Sequence, residues 1–204
     1  MRERPILFNT EMVKAILEGR KTCTRRAIKF SSGMTGRPIG KAGDSSNPLG
    51  VMYPGGIKRP PYQRGDILYV RETWCSAYDG EKYFYLADKL TNREERLLLN
   101  YDNVKWHPSI HMPKEAARIW LKATDVRVER LQEIDIDGIR NEGLSSAAVH
   151  CGDMEIALKE WEILWNSTIK KSDLDRYGWS ANPWVWVIEF ERCEKPRKEN
   201  IKHE

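Results

Sequence analysis

Glu18-Gly19-Arg20-Lys21-Thr22-Cys23-Thr24-Arg25-Arg26 sets four cations and two threonine hydroxyls directly behind a glycine. Upstream, Thr10 to Glu18 reads as a helix: Asn9 or Thr10 can cap it, Met12, Val13, Ile16 and Leu17 share one face, and Gly19 supplies a left-handed stop. The helix therefore ends by aiming the chain into the basic run. If residues 20–26 continued as a regular strand, Lys21 and Thr24 would point to opposite faces. Cooperation between them requires an irregular turn or a bulge.

Cations this close repel one another, and a partner bearing negative charge, a phosphate or nucleotide first, is the simplest compensation. The plain alternative is a solvated turn that complements the C-terminal end of the helix dipole. Crowding by Arg20, Arg25 and Arg26 favours a neutral amine at Lys21, a base beside the hydroxyls of Thr22 and Thr24. The surplus extends beyond the run: residues 1–41 hold ten Lys or Arg against Glu3, Glu11 and Glu18, the footprint expected of a nucleic-acid contact.

With 204 residues, 40% hydrophobic and 31% charged, the chain reads as one globular domain over residues 1–192, neither disordered nor fibrous. Net charge, +4 from 34 basic and 30 acidic residues, says less about partners than the distribution does. Most of the eight tryptophans are expected in the core, the remainder available for stacking. Cys23, Cys75, Cys151 and Cys193 form no C-x-x-C pair, and Met1-Arg2-Glu3-Arg4-Pro5 carries no apolar signal region, so a reduced, cytoplasmic protein is expected. No apolar run is long enough for a membrane span.

Residues 31–63 change character: seven Gly, five Pro and four Ser read as a long, mobile insertion near the site. Arg64-Gly65-Asp66 turns the chain into Ile67 to Trp74, a buried strand. Asp79-Gly80 suggests a hairpin between Cys75–Tyr78 and Lys82–Leu86, and residues 91–105 are polar and ambiguous. Ala116 to Leu131 reads as one long or bent strand whose alternation shifts register near Asp125. Asp135 caps a short helix over Ile136 to Glu142 that Gly143 closes. From Asp153, the spacing of Met154, Ala157, Leu158, Trp161, Leu164 and Trp165 predicts a longer helix with a core-facing stripe. Trp184 to Phe190 is the last strand, and a charged tail, residues 193–204, follows. The order gives a mixed α+β domain built on a β-barrel, with flanking helices.

His107 and His111, and His150 beside Cys151, match no zinc spacing, and P-loop, dinucleotide and G-x-S-x-G patterns are missing, so neither metal nor cofactor is expected. Glu72, inside an apolar strand, and Glu142, before Gly143, are each most simply exposed or paired with an arginine.

Ile16 to Arg26, then Gly65-Asp66-Ile67-Leu68, Asn141-Glu142-Gly143 and Val187-Ile188-Glu189-Phe190 occur in the order seen in ASCH-domain proteins, a PUA-like family that this chain resembles. Val70 to Trp74, Pro108 to Pro113 and Trp179 to Trp184 resemble the larger members carried by phages and prophages. The resemblance implies a PUA-like barrel. By motif, the chain is also similar to small bacterial members that act as amidohydrolases on N4-acetylcytidine. That similarity implies Lys21 as proton acceptor, Thr24 as nucleophile and Glu142 as proton donor, with nearby arginines stabilising the oxyanion. Arg20, Thr22, Arg25, Arg26, Arg71 and Glu72 are the accompanying nucleic-acid or ligand-binding candidates. Arg25 replaces the apolar residue common in the small enzymes, and the chain is about twice their length. Other members bind RNA or are ribonucleolytic, so the alternatives are a non-catalytic RNA- or DNA-binding module and a ribonuclease. A third reading is an accessory protein docking through Trp74, Trp106 or Trp179.

Overall fold

The run Trp184-Val185-Trp186-Val187-Ile188 opens the strand that lies between two others in the main sheet. The computed structural model describes residues 2–30, 36–41, 49–77, 82–88 and 105–196. Within them, β1 (Glu3–Leu7), α1 (Thr10–Leu17) and β2 (Cys23–Ala27) come first, followed by three short strands, β3 (Arg37–Ile39), β4 (Gly50–Tyr53) and β5 (Gly56–Lys58). Next are β6 (Ile67–Arg71), β7 (Trp74–Ala77), β8 (Lys82–Tyr85) and β9 (Trp120–Arg130). The helices α2 (Ile136–Asn141), α3 (Ala147–Cys151), α4 (Met154–Thr168) and α5 (Leu174–Tyr177) precede β10 (Trp184–Cys193). The class is mixed α+β, with a five-stranded sheet in the order β1-β6-β9-β10-β2.

Alternation along β10 explains the apolar run from Trp184 to Ile188. Trp186, Ile188 and Phe190 pack with Ile6, Phe8, Val13, Ile16 and Leu68 on one face of the sheet. Val185 and Val187 pack with Leu131, Ile139, Trp161 and Trp165 on the other. A strand covered on both faces needs side chains that leave water in both directions, and each fully buried one contributes roughly 1.5–3 kcal/mol. The expected register shift lies on β9, where Phe190 pairs with Ala123 while Glu189 pairs with Asp125, leaving Thr124 over. That extra residue is a bulge, and it adds local twist.

β1 and β2 stand at the two ends of the strand order, and among the described residues no backbone ladder joins them into a closed barrel. A side chain joins them instead: Arg26 Nη2 on β2 donates to Leu7 O on β1 at 2.7 Å, with the guanidinium 5.4 Å from the Phe8 ring centroid.

Residues 31–63 differ from the structureless insertion expected. Within the described part, β3, β4 and β5 form an antiparallel sheet. Val51 is fully buried in the main core, the Phe30 and Tyr53 rings meet at 5.4 Å, and Trp184 Nε1 donates to Gly36 O at 2.7 Å. Glycine and proline there punctuate very short strands, a pattern that composition alone does not separate from a loop. Residues 31–35 and 42–48 lie outside the described residues.

The strand expected over Ile67 to Trp74 divides into β6 and β7 at Glu72-Thr73. β7 pairs with β8 in antiparallel fashion, and the Asp79-Gly80 turn and residues 89–104 lie outside the described residues. The caps fall where the side chains allow: Asn9, Asp135 and Asp153 accept from the backbone N–H of Met12, Gly138 and Ile156 at 2.9, 2.7 and 3.1 Å. β10 runs to Cys193, three residues past the strand expected, and Lys195 reaches within 5.8 Å of the Trp120 ring centroid. Residues 197–204 lie outside the described residues. No described helix is long and apolar enough to cross a membrane.

Candidate active site

The connection from α1 to β2 is the irregular segment that the basic run required. Past Glu18, Gly19 takes φ +75°, and the amides of Arg20 and Lys21 both donate to Ala15 O, at 2.9 and 3.1 Å. Lys21 then makes an isolated antiparallel bridge with Glu142, at the C-terminal end of α2, and Thr22 N donates to Asn141 O at 2.8 Å. β2 begins only at Cys23. Lys21 is thus held against α2 before the strand alternation starts.

Gly143 makes that approach possible. It has φ +99°, and a Cβ there would stand 2.9 Å from Ala15 Cβ and 3.1 Å from Lys21 Cβ. Its carbonyl accepts from the Arg20 guanidinium.

Lys21 Nζ donates to Glu142 Oε2 at 2.6 Å and to Glu142 O at 2.9 Å, and the two side chains are 0% and 2% exposed. Glu142 Oε1 accepts from Arg25 Nη1 at 3.4 Å, and Arg25 Nη2 reaches Glu129 Oε2 at 3.3 Å. Arg127 carries the alternation outward, with Glu129, Glu189 and Asp125 around its guanidinium. Three of the four cations crowded in the sequence are answered by carboxylates, Arg20 by Glu18 and Lys21 and Arg25 by a shared Glu142, and Arg26 by the Leu7 carbonyl.

Such a cluster is expensive. Each ion gives up several kcal/mol of hydration, and an apolar pair of similar volume is often as stable.

Thr24 is buried and lines a small cavity of about 40 Å³ together with Arg25, Arg26 and Glu142. Among the described residues, no hydrogen bond joins its hydroxyl to Lys21. The sequence-derived set therefore separates. Lys21, Arg25 and Glu142 are in direct contact, and Thr24 shares the cavity wall with Arg25 and Glu142. Thr22 is exposed, and Arg20 lies on the outer side, paired with Glu18. Arg71 and Glu72 belong elsewhere. Glu72 is fully buried and receives a two-point contact from Arg118, both bonds at 3.0 Å, and Arg118 also grips Asp88. Burial pushes the Glu72 carboxyl up, and Arg118 opposes that shift. Arg71 Nη1 donates to Ile110 O at 3.2 Å. His107 pairs with Trp74 through the backbone, and their rings stand 5.0 Å apart.

Glu129, Arg127 and Asp125 escaped the sequence reading. Their signal is the spacing i, i+2, i+4 along a predicted strand, which puts three charges on one face. Trp161, read as core, also lines the cavity, as does Thr168.

Cys23 shows how the cluster acts on a neighbour. Burial first, then the Glu142 charge, push its thiol up to about 12. At pH 8 a thiol reagent is expected to modify exposed Cys151 within minutes and to leave Cys23 unmodified in the native protein, as read by peptide mass spectrometry. Equal rates would mean the cluster is open to water.

No family model and no curated protein matches the chain. Among solved structures it is similar to an ASCH domain from Lactobacillus crispatus JV V101, at 12% identity over 94% of this chain and 79% of that one, with a TM-score of 0.39.

Proposed function

We propose that this chain is an amidohydrolase that removes the acyl group from an N4-acylated cytosine nucleoside at the Lys21–Glu142 pair. The observation that carries this reading is the meeting of a lysine and a glutamate 121 residues apart, at 2.6 Å and out of contact with water. They are two of the three residues to which the motif resemblance attaches roles, and the third, Thr24, shares a cavity with Glu142.

The pair suits the chemistry. Moving one proton from Nζ to Oε2 converts ammonium and carboxylate into amine and carboxylic acid, a base and an acid side by side. Lys21 then takes the Thr24 proton as Oγ1 bonds to the acyl carbon. The C–N4 bond breaks as Glu142 protonates the departing nitrogen. Water hydrolyses the threonine ester and releases the carboxylic acid, and the proton balance is restored. The Thr24 to Lys21 contact forms with ligand bound, a common behaviour of catalytic hydrogen bonds. Arg25, which lines the cavity with Thr24, supplies a cation for the oxyanion.

Two cations that a phosphate-gripping module would use are directed inward: Arg25 to Glu142 and Glu129, Arg26 to Leu7 O. That favours the enzyme over a nucleic-acid-binding module. Purified protein is expected to release acetate from N4-acetylcytidine, and Lys21→Ala to lower kcat by about 10²–10⁴-fold. Undiminished turnover in a folded Lys21→Ala protein would sink the assignment.

A further inference from the structure

Arg25 divides its guanidinium between two carboxylates. Nη1 lies 3.4 Å from Glu142 Oε1 and Nη2 lies 3.3 Å from Glu129 Oε2, so each nitrogen serves a different acid, at more than the usual length of a charge-assisted hydrogen bond. Arg118 shows the other arrangement in the same protein: Nε and Nη2 fork the Glu72 carboxylate, both at 3.0 Å, and Nη1 closes on Asp88 at 2.7 and 2.8 Å. Arg118 is clamped, and Arg25 is shared.

The register of the sheet fixes the far side of that sharing. Arg25 on β2 and Arg127 on β9 both pair with Val187 of β10, one on each side, and Glu129 pairs with Val185 two residues along. Two arginines thus flank one carboxylate across the sheet. Glu129 Oε1 accepts from Arg127 Nε, and Arg127 is held in turn by Glu189 and Asp125, so Glu129 is anchored and does not follow Arg25 toward Glu142. Exposure rises along the same line, from 3% at the Arg25 side chain to 22% at Glu129 and 38% at Arg127. Glu129 is where the row of charges first meets water.

The balance of charge gives this contact a task. Lys21, Arg25 and Glu142 are buried together, two cations to one carboxylate, and Glu129 supplies the second negative charge. Without it, Arg25 has Glu142 alone to answer it. A carboxylate claimed by two cations is held in its ionised form, yet the move of a proton from Lys21 Nζ to Glu142 Oε2 requires it to become an acid.

We propose that Glu129 is a positioning residue for the Lys21–Glu142 pair: it holds Arg25 by Nη2 and so keeps that cation from closing on Glu142. Glu129 is not among the residues that line the cavity beside Thr24, and it acts through Arg25, which is. The link to turnover rests on the amidohydrolase reading; the hold on Arg25 does not.

Two measurements on the full chain test it. The first follows the Arg25 guanidinium by ¹⁵N NMR, assigned by its loss in Arg25→Met. Separate Nη1 and Nη2 signals are expected in wild type. Glu129→Gln keeps the shape and gives up the charge, and Arg127 retains Glu189 and Asp125, so the variant stays folded. It is expected to speed Nη exchange about tenfold, the effect of weakening one charge-assisted hydrogen bond. The second measures kcat and KM for acetate release from N4-acetylcytidine. Glu129→Gln is expected to lower kcat about tenfold while KM stays within about twofold of wild type. Arg25→Met lowers kcat by itself, and in that background Glu129→Gln is expected to have less than about a twofold further effect on kcat. A merely structural role for Glu129 would lower the thermal midpoint without this non-additivity.

If N4-acetylcytidine is not turned over, the amidohydrolase reading fails, and faster Nη exchange in Glu129→Gln still upholds Glu129 as the residue that holds Arg25. If it is turned over but Nη exchange is the same in wild type and Glu129→Gln, the positioning role is overturned and the enzyme stands. Equal losses of kcat from Glu129→Gln in the wild-type and Arg25→Met backgrounds also overturn it.

Discussion

Glu142→Ala is expected to destabilise the protein by about 3–5 kcal/mol, because it leaves Lys21 buried with no carboxylate and removes one of the two holding Arg25. For a chain of this size the thermal midpoint should fall by roughly 6–20 °C. The informative companion is the double substitution Lys21→Met with Glu142→Leu. Removing both charges lifts their desolvation cost, Arg25 keeps Glu129, and the apolar replacements fill a similar volume. Most of the lost stability is expected to return, while acetate release stays absent. A double variant as unstable as Glu142→Ala would show that the pair is retained for the fold. A double variant that is stable and inactive separates the chemistry from the architecture.

Gly143→Ala is expected to cost about 2–5 kcal/mol, and its effect divides into two parts. One is backbone strain at φ +99°, and the other is collision of the new Cβ with Ala15 Cβ and Lys21 Cβ. Gly19 supplies the control, since it has φ +75° and nothing within 4 Å of its would-be Cβ. Gly19→Ala therefore carries strain alone, about 1–2 kcal/mol. Chemical denaturation of the two variants measures the difference. Equal losses would mean that the close approach of α2 to Lys21 contributes nothing. A larger loss at Gly143, with a fall in kcat beyond what the unfolded fraction explains, would tie that approach to the alignment of Lys21 with Glu142.

Elements with strong periodicity and an unambiguous cap were legible in the sequence. The helix at Met154 has its apolar stripe and Asp153, the helix at Thr10 has Asn9, and β10 has its run of branched and aromatic residues. The register shift in β9 was legible too, because the alternation visibly slips near Asp125. β1 was not, since Glu3 to Leu7 is short and half polar and acquires its identity only by pairing in parallel with β6. The three-stranded sheet between residues 37 and 58 was hidden by its own glycines and prolines. At the site, the motif residues could be picked out, but their partners could not. A salt bridge across 121 residues leaves no local pattern, and Glu142 stood out only beside a family resemblance. Glu72, read as most simply exposed or paired with an arginine, is buried and paired with Arg118.

The place of β2 in the sheet has a consequence for how the molecule is made. α1 and the parallel β1–β6 contact join residues within the first 71 of the chain. Thr24, by comparison, pairs with Ile188, so β2 has no ladder partner until β10 is made, whereas Lys21 meets Glu142 from an earlier segment. Non-local pairing of this kind incurs a large loop-closure entropy before any contact is gained, which slows folding. The strand that carries Thr24 is therefore completed only when β10 docks between β9 and β2, a pairing that joins residues 164 apart in sequence at Thr24 and Ile188.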